Sequence, residues 1–118
     1  MKVLICGSRD WTDVASIREE IDDLVAAHGR DLHIIHGACR GADQIAGRYA
    51  ESLGVKVTEY PADWKGKGKR AGILRNLAML DERPDLVVAF QRDGSAGTQH
   101  TLDEARRRGI DTLWWSTP

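Results

Sequence analysis

The sequence lacks the features that tie a protein to a membrane or to an oxidising compartment. No apolar run approaches the roughly 20 residues needed to span a bilayer. Only two cysteines occur, Cys6 and Cys39, with no CxxC spacing and no secretory leader before them. A disulfide framework needs more cysteines and an exported chain. We therefore expect a cytoplasmic, reduced protein with no membrane partner.

The sequence also has almost no net charge and lacks the familiar phosphate-binding motifs. The 17 basic and 18 acidic residues give a formal net charge of −1, so we do not expect a nucleic-acid partner, although a local basic patch remains open. A P-loop and a GxGxxG motif are absent, which argues against ordinary ATPases and dinucleotide-dependent dehydrogenases. No linker, repeat or low-complexity segment divides the sequence. We expect a single domain over residues 1–118.

Five short apolar runs alternate with segments in which apolar residues recur at helical spacing. The runs cover residues 2–6, 32–36, 55–60, 86–90 and 112–115, and the helical segments lie near 14–28, 42–53, 73–80 and 98–108. Strict alternation of strands and helices predicts right-handed crossovers. The predicted fold class is therefore α/β. We expect a Rossmann-like three-layer sandwich with a five-stranded parallel sheet of order 3-2-1-4-5 and helices on both faces.

In such a sheet, ligands bind beyond the carboxyl ends of the strands, so the loops there are the candidate site. The loops after strands 1, 2 and 4 combine glycines with hydroxyl or arginine donors at helix starts, which favours phosphate. The same residues would also serve as turns and caps without any ligand. The loop after strand 3 is basic and aromatic, which suits either a mobile lid over a nucleotide or nucleic-acid strand or a solvated charged loop without a ligand. The candidate ligand-binding residues are Gly7, Ser8, Arg9, Gly37, Arg40, Gly41, Asp43, Trp64, Arg75, Asn76, Gly94, Ser95, Gly97 and Thr98.

These loops resemble, in order and spacing, the SLOG superfamily and specifically its small YspA/YpsA-related branch. The motifs are GSRDW after strand 1, HGACRGAD after strand 2, RNLAM in the third helical segment and DGSAGT after strand 4. The superfamily also includes the LOG phosphoribohydrolases and the DNA-processing protein DprA. The resemblance implies a nucleotide-binding domain. It also implies that Gly94, Gly97 and Thr98 form a phosphate-binding turn, and that Arg75 contacts a sugar or phosphate.

One departure from the LOG pattern concerns the chemistry. Two residues past the Gly-Thr pair, where LOG enzymes place a catalytic glutamate, this chain has His100. A neutral imidazole does not supply the fixed negative charge that stabilises a cationic sugar. The catalytic residues are therefore left unknown, with Arg75, Asp93 and Glu104 as candidates. Further carboxylates that a hydrolase could use are Asp10, Asp13 and Asp43.

Three functions stay open at this point. The leading one is a domain that binds a nucleotide or nucleotide-derived small molecule, as a sensor or sequestering module, with the base near Trp11 or Trp64. The first alternative is a LOG-like enzyme that hydrolyses the N-glycosidic bond of nucleoside monophosphates. The second alternative is single-stranded nucleic-acid binding through Trp64 and the lysines that follow it. Whether the protein is an enzyme is left undecided.

No cofactor and no metal are expected. Cys6, His36, Cys39 and His100 would lie near one edge of the sheet, but their spacing matches no established zinc motif. The remaining candidate partner is a second copy of the chain. Adjacent tryptophans at 114 and 115 cannot face the same side of a strand, and the outer one could meet another subunit to form a homodimer.

Overall fold

The sheet at the centre of the molecule is parallel throughout. The computed structural model describes residues 1–92 and 94–117, and within them five strands pair in the order β3-β2-β1-β4-β5. The strands are β1 (Lys2–Gly7), β2 (His33–His36), β3 (Lys56–Glu59), β4 (Leu86–Arg92) and β5 (Asp111–Thr117). The predicted α/β class and strand order are confirmed.

Helices connect the strands. They are α1 (Val14–His28), α2 (Ala42–Ser52), α3 (Trp64–Lys67), α4 (Ala71–Asp81) and α5 (Ala96–Arg107), with 3₁₀ turns at Gly29–Asp31 and Gly68–Arg70. No helix in the described part of the chain is long and apolar enough to cross a membrane.

Two apolar clusters hold the helices against opposite faces of the sheet. In β1, Val3 and Ile5 belong to the cluster that includes buried residues of α1 and α2. The intervening Leu4 and Cys6 belong to the cluster that includes buried residues of α4 and α5. Successive side chains of a strand point to opposite faces, so a strand covered on both sides is apolar at every position. This is why the central strands read as unbroken apolar runs.

Two local expectations are wrong. The helix after β4 begins at Ala96 rather than at Thr98, with Ser95 at the N-cap position. The segment after β3 is helical rather than an irregular loop. The Asp63 carboxylate accepts a 2.9 Å hydrogen bond from the Gly66 amide and so starts α3.

Candidate functional site

Two neighbouring cavities open at the carboxyl edge of the sheet, where the loops after β1 to β4 meet. We call the first the inner lobe; it has a volume of about 430 Å³ and lies between the β1–α1 loop, α4 and the start of α5. The second, the outer lobe, has a volume of about 570 Å³ and lies between the β2–α2 loop and the residues before α3. The side chains common to both walls are those of Arg9, Cys39, Trp64 and Arg75.

The structure gathers most of the residues predicted from the sequence at these cavities. Those that line the inner lobe are Gly7, Ser8, Arg9, Asp43, Trp64, Arg75, Asn76, Ser95, Gly97 and Thr98. Those that line the outer lobe are Arg9, Gly37, Arg40, Trp64 and Arg75. Gly41 and Gly94 are not among the described residues that line either lobe.

The start of α5 forms one wall of the inner lobe. Helix N-termini leave their first backbone amides without intrahelical partners and carry the positive end of the helix dipole. The hydroxyls of Ser95 and Thr98 lie 3.3 Å apart there, and space is open above Gly97, where a Cβ would meet no atom within 4 Å. The buried Gln91 amide fixes this start, because its Nε2 donates to the Ser95 carbonyl at 3.2 Å. This wall suits an anion.

A buried carboxylate shapes the loop after β2. Asp43 is 5% exposed, and its Oδ2 accepts hydrogen bonds from the amides of Gly37 at 3.0 Å and Cys39 at 3.4 Å. Burial raises the pKa of Asp43 to about 6, against the opposing effects of the two amides and of Arg75. The group therefore holds the loop and titrates close to neutrality.

The same loop contains a strained residue. Ala38 has a φ of 59°, in the left-handed region that side chains disfavour, and its amide donates to Nδ1 of His36 at 3.0 Å. His36 is buried against Gly47, where a Cβ would collide with Nε2. Burial lowers the pKa of His36 and so favours the neutral ring that can accept this bond. His36 is thus a structural support of the loop.

Arg75 separates the two lobes and is held by the protein itself. Its Nη1 donates to the carbonyl of Gly37, and its Nε donates to Oδ1 of Asn76 at 2.7 Å. Its Nη2 lies 3.5 Å from Sγ of Cys39. The guanidinium therefore fastens α4 to the loop after β2 while it still lines both cavities.

The two glycines outside the cavities shape the backbone. Gly41 has a φ of 81°, and a Cβ there would lie 2.5 Å from the carbonyl oxygens of Ser8 and Arg9. The lack of a side chain thus lets the β2–α2 loop contact the β1–α1 loop. Gly94 has a φ of 64° and a Cβ there would meet open space. Their contribution to the site is indirect.

Of the two tryptophans proposed for base contact, only Trp64 is at the site. Trp64 is 50% exposed and lines both lobes, and the Arg9 guanidinium lies 5.8 Å from its ring centroid. Trp11 is 4% exposed, packs edge-on against Phe90 and donates from Nε1 to the carbonyl of Asp13 at 2.9 Å. The expectation that Trp11 contacts the base is wrong, because its ring belongs to the core.

The candidate catalytic residues fall in different places. Glu104 is not among the described residues that line the lobes, and its carboxylate binds Arg107 and Arg108, which lowers its pKa. This position does not support a catalytic role for Glu104. Asp93 lies outside the described residues. His100 also lies away from the described walls of both lobes, whereas Thr101 lines the inner lobe.

The carboxylates of the inner lobe are those of Asp10 and Asp43. Asp13 instead caps α1, where it accepts a hydrogen bond from the Ser16 amide at 3.2 Å. Among residues 1–92 and 94–117, no three His, Cys, Asp or Glu side chains gather in a way that could hold a metal ion.

Sequence reasoning missed several wall residues, and helix periodicity could have found some of them. Gly72 and Met79 lie one turn to either side of the predicted pair Arg75 and Asn76, and Thr101 lies one turn after Thr98. Other wall residues that were not predicted to bind a ligand are Cys6 and Ile73 in the inner lobe, Ala38, Pro61 and Ala62 in the outer lobe, and Cys39 in both.

Comparison with known proteins identifies the family. The model of the YspA, cpYpsA-related SLOG family matches residues 1–66. The chain belongs to this family. The SLOG resemblance inferred from the loop motifs is thereby confirmed. The matched region includes the loops after β1, β2 and β3. The other two walls of the inner lobe, α4 and the start of α5, lie outside the matched region.

Two known proteins differ in what they share with this chain. The Gene 61 protein of Mycobacterium phage D29 is 38% identical over 117 residues, which cover 95% of this chain and 94% of that protein. DNA processing protein A (DprA) from Streptococcus pneumoniae has a similar fold, with a TM-score of 0.71 and 19% identity. That match covers 96% of this chain and 49% of the DprA chain, so the SLOG domain spans about half the length of that protein.

Proposed function

We propose that this SLOG domain binds a nucleotide or a nucleotide-derived small molecule in the inner lobe, as a sensor or sequestering module. The observation that carries the proposal is the start of α5, where Ser95, Gly97 and Thr98 line an open cavity with hydroxyls and first-turn amides. Such a wall is suited to the phosphate of a ligand. The volume of about 430 Å³ falls in the range of small-molecule pockets.

The rest of the lobe supports a nucleoside. Arg75 and Asn76 line the same lobe from α4, and a guanidinium and an amide are suited to hydrogen bonds with the hydroxyls of a sugar. The half-exposed ring of Trp64 offers a flat apolar surface on which a base can stack. Phosphate at α5, ribose at α4 and base at Trp64 is the arrangement we propose.

A pair of variants at Gly97 tests this arrangement. A side chain fits there without a clash, and glutamate and glutamine both favour a helix more than glycine does, so both Gly97→Glu and Gly97→Gln should fold. The glutamate repels a phosphate, whereas the glutamine has nearly the same size and no charge. Against a panel of ribonucleoside 5′-monophosphates, we expect calorimetry to show about tenfold or greater loss of affinity in Gly97→Glu than in Gly97→Gln.

The purified wild-type protein provides a second readout. Mass spectrometry of small molecules released on denaturation should reveal a nucleotide-like compound. If no nucleotide binds the wild type, or if both Gly97 variants bind alike, the α5 start is not a phosphate site.

A hydrolase is the second candidate, because Asp10 and Asp43 place two carboxylates on the wall of the inner lobe. A group with a pKa of about 6, as at Asp43, is suited to proton transfer near neutral pH. Chromatography of nucleoside monophosphates incubated with the protein tests for release of the free base. Release that is lost in Asp43→Asn, while that variant still binds the nucleotide, would favour the enzyme over the binding module.

A further inference from the structure

We propose that the outer lobe is a second anion subsite, and that the nucleotide bound by this domain carries a second phosphate across the ribose from the first, as in a nucleoside 3′,5′-bisphosphate. The inference rests on the proposed function, because the first phosphate is the one assigned to the start of α5. It adds a second, separately testable group to that ligand.

The outer lobe is strongly positive. Its wall contains Arg9, Arg40 and Arg75, and no Asp or Glu of the described chain joins them. None of these arginines forms a salt bridge with a described residue. Guanidinium groups do not lose their charge in proteins, so three of them around one cavity of about 570 Å³ repel one another, and the single negative charge of the buried Asp43, which interacts with Arg9 and Arg75, offsets only part of this repulsion. An anion in the cavity removes that repulsion and accepts paired hydrogen bonds.

The inner lobe does not share this excess of positive charge. The inner lobe shares Arg9 and Arg75 with the outer lobe, but its wall also contains the carboxyl groups of Asp10 and Asp43. Its formal charges therefore balance, and its anion-binding element is the end of a helix. Arg40 is exposed and lines only the outer lobe, whereas Arg9 and Arg75 line both lobes. It is the residue that distinguishes the second subsite.

The sheet sets the distance between the two anions. The α5 start follows β4 and the Arg40 loop follows β2, and these strands flank β1 on either side. Two strand spacings separate them, which is about 10 Å. Phosphorus atoms joined by one bridging oxygen, as in a 5′-diphosphate, lie much closer together than that. Phosphates on the 3′ and 5′ ends of a ribose are further apart, and the long Arg40 side chain can span the distance that remains.

The side chains between the two lobes suit the ribose and base that would lie between two such phosphates. Arg75 and Trp64 line both cavities, and Arg9 lies over the Trp64 ring. A ribose against Arg75 can then direct one phosphate into each lobe while its base stacks on Trp64. The ligand class that satisfies all three surfaces is a nucleoside with phosphates at both ends of its sugar.

Calorimetry with matched nucleotides tests the inference on the full chain. The probes are the four ribonucleoside 5′-monophosphates, their 5′-diphosphates and their 3′,5′-bisphosphates. For the base that binds best, we expect the 3′,5′-bisphosphate to bind about tenfold or more tightly than the other two forms. Arg40→Ala should remove most of that gain. Arg30→Ala, which removes an exposed arginine from the 3₁₀ turn before β2, should leave it intact.

The other outcomes separate the two proposals. Equal binding of mono- and bisphosphate, with both weakened by Gly97→Glu, would overturn the second subsite and leave the proposed function in place. A 5′-diphosphate that binds as tightly as the bisphosphate would overturn the inferred spacing. Bisphosphate binding that depends on Arg40 but ignores Gly97→Glu would refute the α5 phosphate site. A short oligothymidylate that binds more tightly than every bisphosphate would refute the small-molecule ligand in favour of a nucleic-acid strand.

Discussion

At the scale of single residues, the carboxyl group of Asp43 couples the charge of the site to pH. Both loop amides bond to the same oxygen, Oδ2, so Oδ1 can take a proton without breaking either hydrogen bond. The pKa rises from an ordinary 3.8 to about 6 because burial penalises the anion. The loop after β2 is therefore held in both protonation states, and only the charge beneath the cavity changes.

The raised pKa of Asp43 predicts a pH-dependent cost to stability. Between its unfolded value of 3.8 and its folded value of about 6, the native state retains a proton that the unfolded chain has released. The contribution of Asp43 to the free energy of unfolding should thus fall as pH rises through this window and stay constant above it. Relative to Asp43→Asn, we expect the wild type to lose about 2–3 kcal/mol between about pH 4 and pH 7.

Urea unfolding of both proteins across that range measures the difference. Asp23→Asn, which removes an exposed carboxyl from α1, controls for the loss of one negative charge. A wild-type to Asp43→Asn difference that does not change with pH would contradict the assignment.

At the scale of elements, the sequence predicted those whose pattern is local and missed those that depend on packing. The central strands and long helices follow from apolar periodicity over residues close in the chain. The four-residue α3 has no apolar stripe, contains Gly66 and depends on the Asp63 carboxylate that caps it. The start of α5 at Ala96, two residues before the Thr98 that the motif suggested, has no side-chain cap, and the buried Gln91 of β4 holds the Ser95 carbonyl there.

The site shows the same division. Topology placed the loops at one edge, because the carboxyl ends of parallel strands lie together. No sequence pattern indicates that Arg75 reaches the Gly37 carbonyl, 38 residues away, or that the ring of Trp11 turns into the core. Such orientations are decided by neighbours that are distant in the chain. The sequence therefore indicated which residues lie near one another, but not which atoms they contact.

The contact between the loops after β1 and β2 gives a prediction about Gly41. Gly41 (φ 81°, ψ −133°) and Gly29 (φ 55°, ψ −129°) have similar backbone angles, which a side chain disfavours, so Gly→Ala at either costs about 1–3 kcal/mol of strain. Only at Gly41 does the added Cβ also meet backbone oxygens, those of Ser8 and Arg9 at 2.5 Å. Backbone cannot rotate away as a side chain does.

We therefore expect Gly41→Ala to lose about 1–3 kcal/mol more than Gly29→Ala in urea unfolding. Gly29 is the matched control because a Cβ there meets nothing within 4 Å. Equal losses in the two variants would show that the loops can separate freely, and that Gly41 is needed only for its backbone angles.

At the scale of the whole molecule, the two edges of the sheet differ in how they are protected. β3 is short, with exposed Lys56 and Glu59 at its ends, and charged short edges resist pairing with another chain. β5 is seven residues long and has no charged residue after Asp111. Its Leu113 and Trp114 are 40% and 54% exposed. An edge of this kind is open to a further strand, and the homodimer expected from the sequence would form there.

The unprotected β5 edge predicts that two chains pair through it across a two-fold axis. A charged side chain on this strand should prevent pairing, because a lysine would lose hydration at the interface between the two β5 strands. Leu113→Lys is the informative change, since Trp114 also donates from its indole Nε1 to Gln91 and a substitution there would disturb α5. The control is Leu53→Lys, another exposed leucine at the end of α2. In sedimentation velocity at micromolar concentration, we expect dimers of the wild type and Leu53→Lys and monomers of Leu113→Lys. A wild type that sediments as a monomer would show that the exposed edge alone does not drive association.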